Sequence, residues 1–183
     1  GLKLANLPLT PCFWQAHGPA NQQVWLPFGV AHDHRDRLLR TADEEAVEKH
    51  RPVALFVEIT HRVNQDEAVE GLRATGAEAA HVVRLQPDDV GYEAVVDART
   101  AQQAAADLYG TLGRLGGKAS ALHVFYVGPV SVLMMAAGVL RVAGTTTIYE
   151  RISVGGRWLF WPSLCFEGGE GRWHRGGGEV RPA

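Results

Sequence analysis

Two runs of apolar, β-rich residues constrain the fold of this chain more than any other feature of its sequence. Residues 53–59 and 121–127 are almost continuously apolar instead of alternating with polar residues. This pattern is typical of strands that are buried on both faces of a sheet and covered by helices. The sequence therefore predicts an α/β fold: an open, mostly parallel, Rossmann-like sheet with helices on both faces.

Helix and strand signals alternate around these two runs. Helices are predicted from a capping-box-like start at Thr41 up to Pro52, from Asn64 to Thr75, from Thr100 to Leu115, and over residues 130–142. Further strands are predicted at residues 81–85, 92–96 (a short edge strand), 145–150 and 158–161.

Prolines and glycines divide the chain into three parts. Residues 1–40 contain four prolines between short apolar runs, so we expect an irregular segment there. Residues 41–166 hold the alternating strands and helices and form the predicted α/β unit. Residues 167–183 are rich in Gly, Glu and Arg, which predicts a tail with little core of its own.

The charge balance excludes long nucleic acids as partners. Of 183 residues, 18 are Lys or Arg and 20 are Asp or Glu, so the formal net charge is −2. Bulk charge of this kind cannot hold a polyanion, and an anionic ligand must be small and bound by local donors.

Neither a membrane nor an oxidising compartment is indicated. The longest apolar stretch, residues 127–142, is broken by Gly, Pro, Ser and Arg, and it is shorter than the roughly 20 residues that a bilayer needs. The N-terminal residues lack a signal-peptide pattern, and Cys12 and Cys165 form no CxxC motif. We therefore expect a cytoplasmic protein.

Parallel α/β sheets bind ligands beyond the carboxyl ends of their strands. Four of the predicted strands end in polar or turn-forming residues. The predicted ligand site therefore comprises Thr60, His61, Arg62, Gln86, Pro87, Gly128, Pro129, Val130, Ser131, Glu150 and Arg151.

Residues 128–131 begin a helix directly after a buried strand. Pro129 has no N–H, so the backbone N–H groups of Val130 and Ser131, with the Ser131 hydroxyl, are the predicted donors to a phosphate. The segment matches neither a Walker A nor a GxGxxG motif. The alternative is a helix that begins here without binding a ligand.

Arg62 occupies the equivalent place after the strand at residues 53–59. Thr60 can cap the following helix, while His61 and Arg62 reach the crevice, where a guanidinium can fork onto a phosphate or a base edge. The alternative is a solvated Arg62 with His61 as a spacer.

Signals for metal binding and catalysis are weak. His32, His34 and Asp36 resemble metal ligands, but no further ligand is fixed by spacing, and we expect no metal and no other cofactor. Glu58 lies in a predicted buried strand as either a general base or a paired carboxylate. No GxSxG, HExxH or Cys–His arrangement is present, so no catalytic residue is predicted.

Three segments, in this order, resemble the second half of a SAVED domain. Residues 54–60 followed by Val63 resemble its strand-and-threonine start, and residues 121–131 resemble its "HLF…P" strand and helix start. Residues 148–151 followed by 158–164 are similar to its closing "vYE…Y.P.L" strands. The resemblance covers roughly residues 52–166.

The resemblance implies a sensor of cyclic oligonucleotide second messengers in bacterial antiviral signalling, of the CBASS or type III CRISPR kind. SAVED domains consist of two CARF-like Rossmann halves, so residues 1–40 would be the end of a first half. The family also implies an effector domain, in cis or in trans, and ligand-induced self-assembly as the signal.

The leading hypothesis is thus a non-enzymatic module that binds a cyclic oligoadenylate-type ligand. One alternative is an enzyme, either a ring nuclease or a metal-dependent hydrolase that uses His32 and His34. Another is a structural module whose exposed aromatic residues bind a partner.

Overall fold

The computed structural model describes residues 13–17, 21–25, 37–44, 47–137, 144–167 and 170–173. Nine strands and three helices lie in these segments. The strands are β1 (Phe13–His17), β2 (Asn21–Trp25), β3 (Arg40–Ala42), β4 (Val53–Glu58), β5 (His81–Gln86), β6 (Leu122–Val127), β7 (Thr146–Val154), β8 (Arg157–Glu167) and β9 (Glu170–Trp173). The helices are α1 (Gln65–Ala74), α2 (Ala98–Gly116) and α3 (Val130–Ala136). None of the helices in the described part of the chain is long and apolar enough to cross a bilayer.

Seven strands form one open sheet in the order β3-β5-β4-β6-β7-β8-β9. The strands β5, β4, β6 and β7 are parallel to one another. On one side of them β3 pairs antiparallel with β5, and on the other side β8 pairs antiparallel with β7 and β9 antiparallel with β8. Helix α1 packs on one face, and α2 and α3 pack on the other. The predicted fold class, a mostly parallel α/β sheet with helices on both faces, is confirmed.

The strand β4 explains why both faces are covered. All six of its residues are buried. Val53, Leu55 and Val57 face the cluster that contains α2 and α3, while Ala54 and Phe56 face the cluster that contains α1. A strand with apolar side chains on both faces is stable only between two layers of helices, since exposing either face would return that apolar surface to water.

Side chains cap the first two helices. Asn64, and not the predicted Thr60, caps α1: its side chain accepts a hydrogen bond from the backbone N–H of Asp66 at 2.9 Å. Asp97 caps α2 and accepts from the backbone N–H of Thr100 at 2.8 Å. The predicted start of α2 at Thr100 is therefore too late, because Thr100 is the third residue of the helix, at the N3 position of the capping box, and Asp97 is the N-cap.

The predicted helix after Thr41 is wrong. Thr41 lies in β3 and pairs with Leu85 of β5. The N–H groups of Leu38 and Leu39 both donate to one carboxylate oxygen of Asp107 on α2, each at 2.9 Å. These two hydrogen bonds fix the backbone directly before β3. A capping-box pattern is a local signal, and here sheet pairing and this long-range anchor override it. Residues 45 and 46 lie outside the described part.

Several other boundaries differ from the predictions. Residues 92–96 do not form an edge strand, because Tyr92–Ala94 is a 3-10 turn and β3 takes the position beside β5. Of the helix predicted over residues 130–142, Val130–Ala136 forms α3, and residues 138–143 lie outside the described part. Within the segment expected to be irregular, β1 and β2 form an antiparallel pair. Residues 170–173 of the expected tail pair with β8 as β9.

Gly71 allows α1 to approach the sheet closely. A Cβ atom at this position would lie 2.6 Å from the carbonyl oxygen of Phe160 on β8 and 3.2 Å from its Cβ. Phe160 is itself completely buried in the cluster beneath α1. Only glycine therefore fits at this contact between α1 and β8.

We expect Gly71→Ala to lower the free energy of unfolding by about 1–3 kcal/mol, because the added methyl group forces α1 away from backbone that cannot yield. Gly110→Ala is the matched control. There the added Cβ would lie 3.3 Å from Nη1 of Arg114, the far end of a long side chain. Since alanine favours a helix interior, this control is expected to gain up to about 1 kcal/mol. Urea unfolding measures both, and equal values would contradict the tight packing at Gly71.

Candidate functional site

The carboxyl ends of the four parallel strands lie along one edge of the sheet. Parallel register places Glu58 of β4 opposite Val127 of β6, and Val57 of β4 opposite Leu85 of β5. We call this region the carboxyl edge and define it by residues 59–62, 86–87, 128–131 and 150–151. Residues 150 and 151 lie within β7, which is longer than predicted, but the pairing of Tyr149 with Phe125 places them level with the end of β6.

Glu58, the last residue of β4, is the centre of the carboxyl edge. Its side chain is 0% exposed, and its two carboxylate oxygens accept three hydrogen bonds. The Val63 N–H donates to Oε1 at 2.9 Å, Arg84 Nη1 donates to the same oxygen at 2.6 Å, and Arg62 Nη1 donates to Oε2 at 3.1 Å. A buried carboxylate is costly unless such donors surround it. Of the two interpretations of Glu58, the structure matches the paired carboxylate.

Two guanidinium groups share this one carboxylate. Arg62 also donates to the side-chain oxygen of Gln86 at the end of β5, which joins two of the predicted site residues. Arg84 lies over the ring of Phe56, with 5.0 Å from its guanidinium carbon to the ring centroid. The side chains of Arg62 and Arg84 are 57% and 30% exposed. Two positive charges against one negative charge leave an excess of one positive charge in the group around Glu58.

Arg84 was missed by the sequence reasoning. It lies inside β5, two residues before the predicted segment, and only the β4–β5 register brings it to Glu58. The available signal was its alternation: Val83 and Leu85 are fully buried, so Arg84 between them points to the other face of the strand. This alternation predicts the face of β5 on which Arg84 lies, but it does not predict Glu58 as its partner.

A pair of aromatic rings lies beside the arginines. The Gly91 N–H donates to the carbonyl of Ile59 at 3.0 Å, which brings the following Tyr92 to the end of β4. The rings of His61 and Tyr92 meet edge to face, with 5.0 Å between centroids and an interplanar angle of 89°. Nδ1 of His61 is 3.3 Å from the hydroxyl of Thr60. The sequence does not predict Tyr92 as a site residue, because the pattern of residues 92–96 predicts a strand.

The loop after β6 is closely packed. A Cβ atom at Gly128 would lie 2.9 Å from the hydroxyl of Tyr126 and 3.0 Å from two side-chain atoms of Ile59. The Tyr126 hydroxyl donates to the carbonyl of Pro129 at 2.6 Å. Burial raises the pKa of Tyr126 far above its ordinary value, so this hydroxyl keeps its proton and remains a donor. Gly128 and Pro129 are therefore held in one conformation.

At the start of α3 the two predicted donors differ in exposure. Val130 is 62% exposed, whereas Ser131 is 1% exposed, so the Ser131 hydroxyl lies beneath the surface of the carboxyl edge. The binding of a phosphate by the backbone of these residues stays a prediction.

Arg151 is paired across the other side of the carboxyl edge. Its guanidinium donates to both carboxylate oxygens of Glu67 in the first turn of α1, at 2.8 and 2.9 Å, and lies over the ring of Trp158 at 4.9 Å. Hydrogen bonding to Glu67 raises the pKa of Arg151. Its neighbour Glu150 is exposed, and Pro87 is buried. Arg151 thus connects β7 to α1.

Metal ligands do not cluster in the described part of the chain. Among those residues no group of three or more His, Cys, Asp or Glu side chains is arranged to hold a metal ion. His32, His34 and Asp36 lie outside the described residues.

A comparison with family profiles gives one match that covers most of the chain. The profile of SAVED, the SMODS-associated and fused to various effectors sensor domain, matches residues 11–158. No curated protein matches the chain.

Solved structures give a weaker likeness. The Cap4 SAVED/CARF-domain containing receptor of Acinetobacter baumannii is 13% identical, with a TM-score of 0.47, over 76% of this chain and 27% of the receptor. A structure of the same receptor with the cyclic trinucleotide 2′3′3′-cAAA is 17% identical, with a TM-score of 0.48, over 69% and 27%. The match thus spans about a quarter of the receptor's length.

We expect Glu58→Gln to lower the free energy of unfolding by about 2 kcal/mol. The amide cannot balance the charges of Arg62 and Arg84, and charge-assisted hydrogen bonds contribute about 1.5–3 kcal/mol. Glu150→Gln is the matched control, because Glu150 is an exposed acid at the same edge, and its loss should change stability by less than about 0.5 kcal/mol. Urea unfolding at neutral pH compares them. A Glu58 variant as stable as the control would show that the buried carboxylate does not organise this edge.

Proposed function

We propose that this chain, which belongs to the SAVED family of sensor domains, binds a cyclic oligonucleotide of the oligoadenylate type at its carboxyl edge. The ligand would be the second messenger of bacterial antiviral defence, of the CBASS or type III CRISPR kind. We further propose that residues 41–166 form the CARF-like unit and that the β1–β2 pair belongs to the end of a first half.

The positive charge in excess around Glu58 carries the proposal. The chain as a whole is slightly negative, so its attraction for an anion is local. Arg62 and Arg84 are two partly exposed guanidinium groups held by one buried carboxylate. Guanidinium groups bind phosphate oxygens through paired N–H donors. The carboxyl edge therefore suits a ligand with a few phosphates more than a long polyanion.

Phosphate binding at Arg62 would be an exchange of partners. When Arg62 turns to a phosphate, Glu58 keeps the Val63 N–H and Arg84 as donors. The buried carboxylate therefore remains hydrogen-bonded after the exchange, which keeps its cost low. Gln86, released from Arg62, gains a free amide oxygen that can accept from the amino group of a base.

A ring nuclease is the alternative, and one contact favours it: the 3.3 Å separation of the Thr60 hydroxyl and Nδ1 of His61. A hydroxyl beside an imidazole is an arrangement found in nucleophilic catalysis. Incubation with cyclic triadenylate separates the two functions, because a sensor retains the intact ring and a nuclease releases linear product.

We expect cyclic triadenylate to bind more tightly than linear triadenylate, because a closed ring loses less conformational freedom on binding. Arg62→Ala should weaken binding of the cyclic ligand at least about tenfold, the effect of losing one charge-assisted hydrogen bond. The melting temperature without ligand should change little, since the Arg62 side chain is more than half exposed. Isothermal titration and thermal unfolding measure the two quantities.

Arg73→Ala is the control for this variant. Arg73 is an exposed arginine in the last turn of α1, away from the carboxyl edge. Unchanged affinity in Arg62→Ala, or equal binding of linear and cyclic ligand, would contradict the proposal.

The proposed signal is assembly, with an effector domain activated in cis or in trans. A ligand held at the ends of strands from one side leaves its other face open to a second copy. Its differential affinity for the assembled state then shifts the equilibrium. Such a contact joins two different surfaces and need not close into a ring.

We therefore expect cyclic triadenylate to raise the average mass in light scattering, with filaments or rings as products. The Arg62→Ala variant at the same ligand concentration should stay at its ligand-free mass. A wild-type chain that binds the ligand tightly and remains monomeric would contradict assembly while leaving binding intact.

A further inference from the structure

We propose that Tyr92 and His61 form a stacking platform for one purine base of the ligand. This inference rests on the proposed function and adds to it the recognition of a base beside the recognition of a phosphate. Neither ring is needed for a site that binds inorganic phosphate alone.

The backbone fixes the position of Tyr92. The hydrogen bond from the Gly91 N–H to the Ile59 carbonyl, at 3.0 Å, attaches the loop after β5 to the end of β4. Tyr92 then begins the 3-10 turn, and its side chain is 68% exposed. The Tyr92 ring is therefore exposed to solvent at the carboxyl edge, and the hydrogen bond between Gly91 and Ile59 fixes the backbone before it.

The contact with His61 orients the ring. The two rings meet edge to face at 5.0 Å and 89°. In this geometry the edge of one ring points at the face of the other, so the contact covers at most one face of Tyr92, and this exposed ring can offer another face to a third ring. An exposed aromatic ring that is already oriented binds a base with little further loss of freedom.

The platform lies next to the proposed phosphate donors. His61 precedes Arg62 in the chain, and Arg62 contacts Glu58 and Gln86. A nucleotide carries a base and a phosphate a few ångströms apart, which matches an aromatic surface one residue away from a guanidinium. Purines are favoured over pyrimidines because the larger ring system covers more of the exposed surface.

The experiment uses two probes: cyclic triadenylate with one base replaced by the fluorescent 2-aminopurine, and cyclic triuridylate with the same number of phosphates. Tyr92→Leu is expected to weaken binding of the purine ring about tenfold or more, to change binding of the uridylate ring less than threefold, and to abolish the stacking-dependent quenching of 2-aminopurine. Tyr92→Trp should restore both affinity and quenching.

Tyr109→Leu is the matched control, because Tyr109 is a 50% exposed tyrosine on α2. It should bind both rings as the unchanged chain does. Thermal unfolding without ligand checks that all variants fold. Equal affinity and quenching in Tyr92→Leu and in the unchanged chain would overturn the platform while leaving the proposed function standing. Failure of the unchanged chain to bind either ring would overturn both.

Discussion

The buried carboxylate of Glu58 is the interaction on which the carboxyl edge depends. A charge without solvent access must be met by donors, and those donors come from two places: the segment between β4 and α1, which supplies Arg62 and the Val63 N–H, and strand β5, which supplies Arg84. One side chain thereby connects the backbone before α1, the guanidinium of Arg84 on β5 and the guanidinium of Arg62. The apolar packing of the sheet determines where the strands lie, and this carboxylate determines how their ends are arranged.

The sheet could be predicted from the sequence because burial determines which residue types a covered strand can contain. A continuous apolar run such as β4 fits only the interior of a covered sheet, and strand–helix alternation then implies parallel pairing. Both Arg62 and Gln86 were selected because they lie near strand ends, and in the structure Arg62 donates a hydrogen bond to Gln86. The failures have physical causes as well. Thr41 carried a local capping pattern, but pairing with β5 and the hydrogen bonds from Leu38 and Leu39 to Asp107 decided its conformation.

Contacts that depend on register were beyond the sequence. Nothing in the residues around Arg84 states which residue of β4 lies beside it, so its hydrogen bond to Glu58 was not predictable. Tyr92 is a similar case, because its place beside His61 depends on a backbone hydrogen bond from Gly91 to Ile59, a residue distant in sequence. The candidate site was therefore predicted at the level of segments, and its chemistry emerged only from pairs of residues distant in sequence.

The pairing of arginines with acids along the carboxyl edge has a consequence for the speed of capture. Arg40 is paired with Asp88, Arg151 with Glu67, and Arg62 and Arg84 with Glu58. Because acids balance these arginines except for one positive charge around Glu58, in a chain of net charge −2, little field extends into solvent to steer an anion from a distance. Association should then proceed at the ordinary rates of unsteered encounters and depend weakly on ionic strength. Abundant polyanions such as RNA therefore associate no faster than other ligands at such an edge. The discrimination between ligands then depends on their dissociation rates.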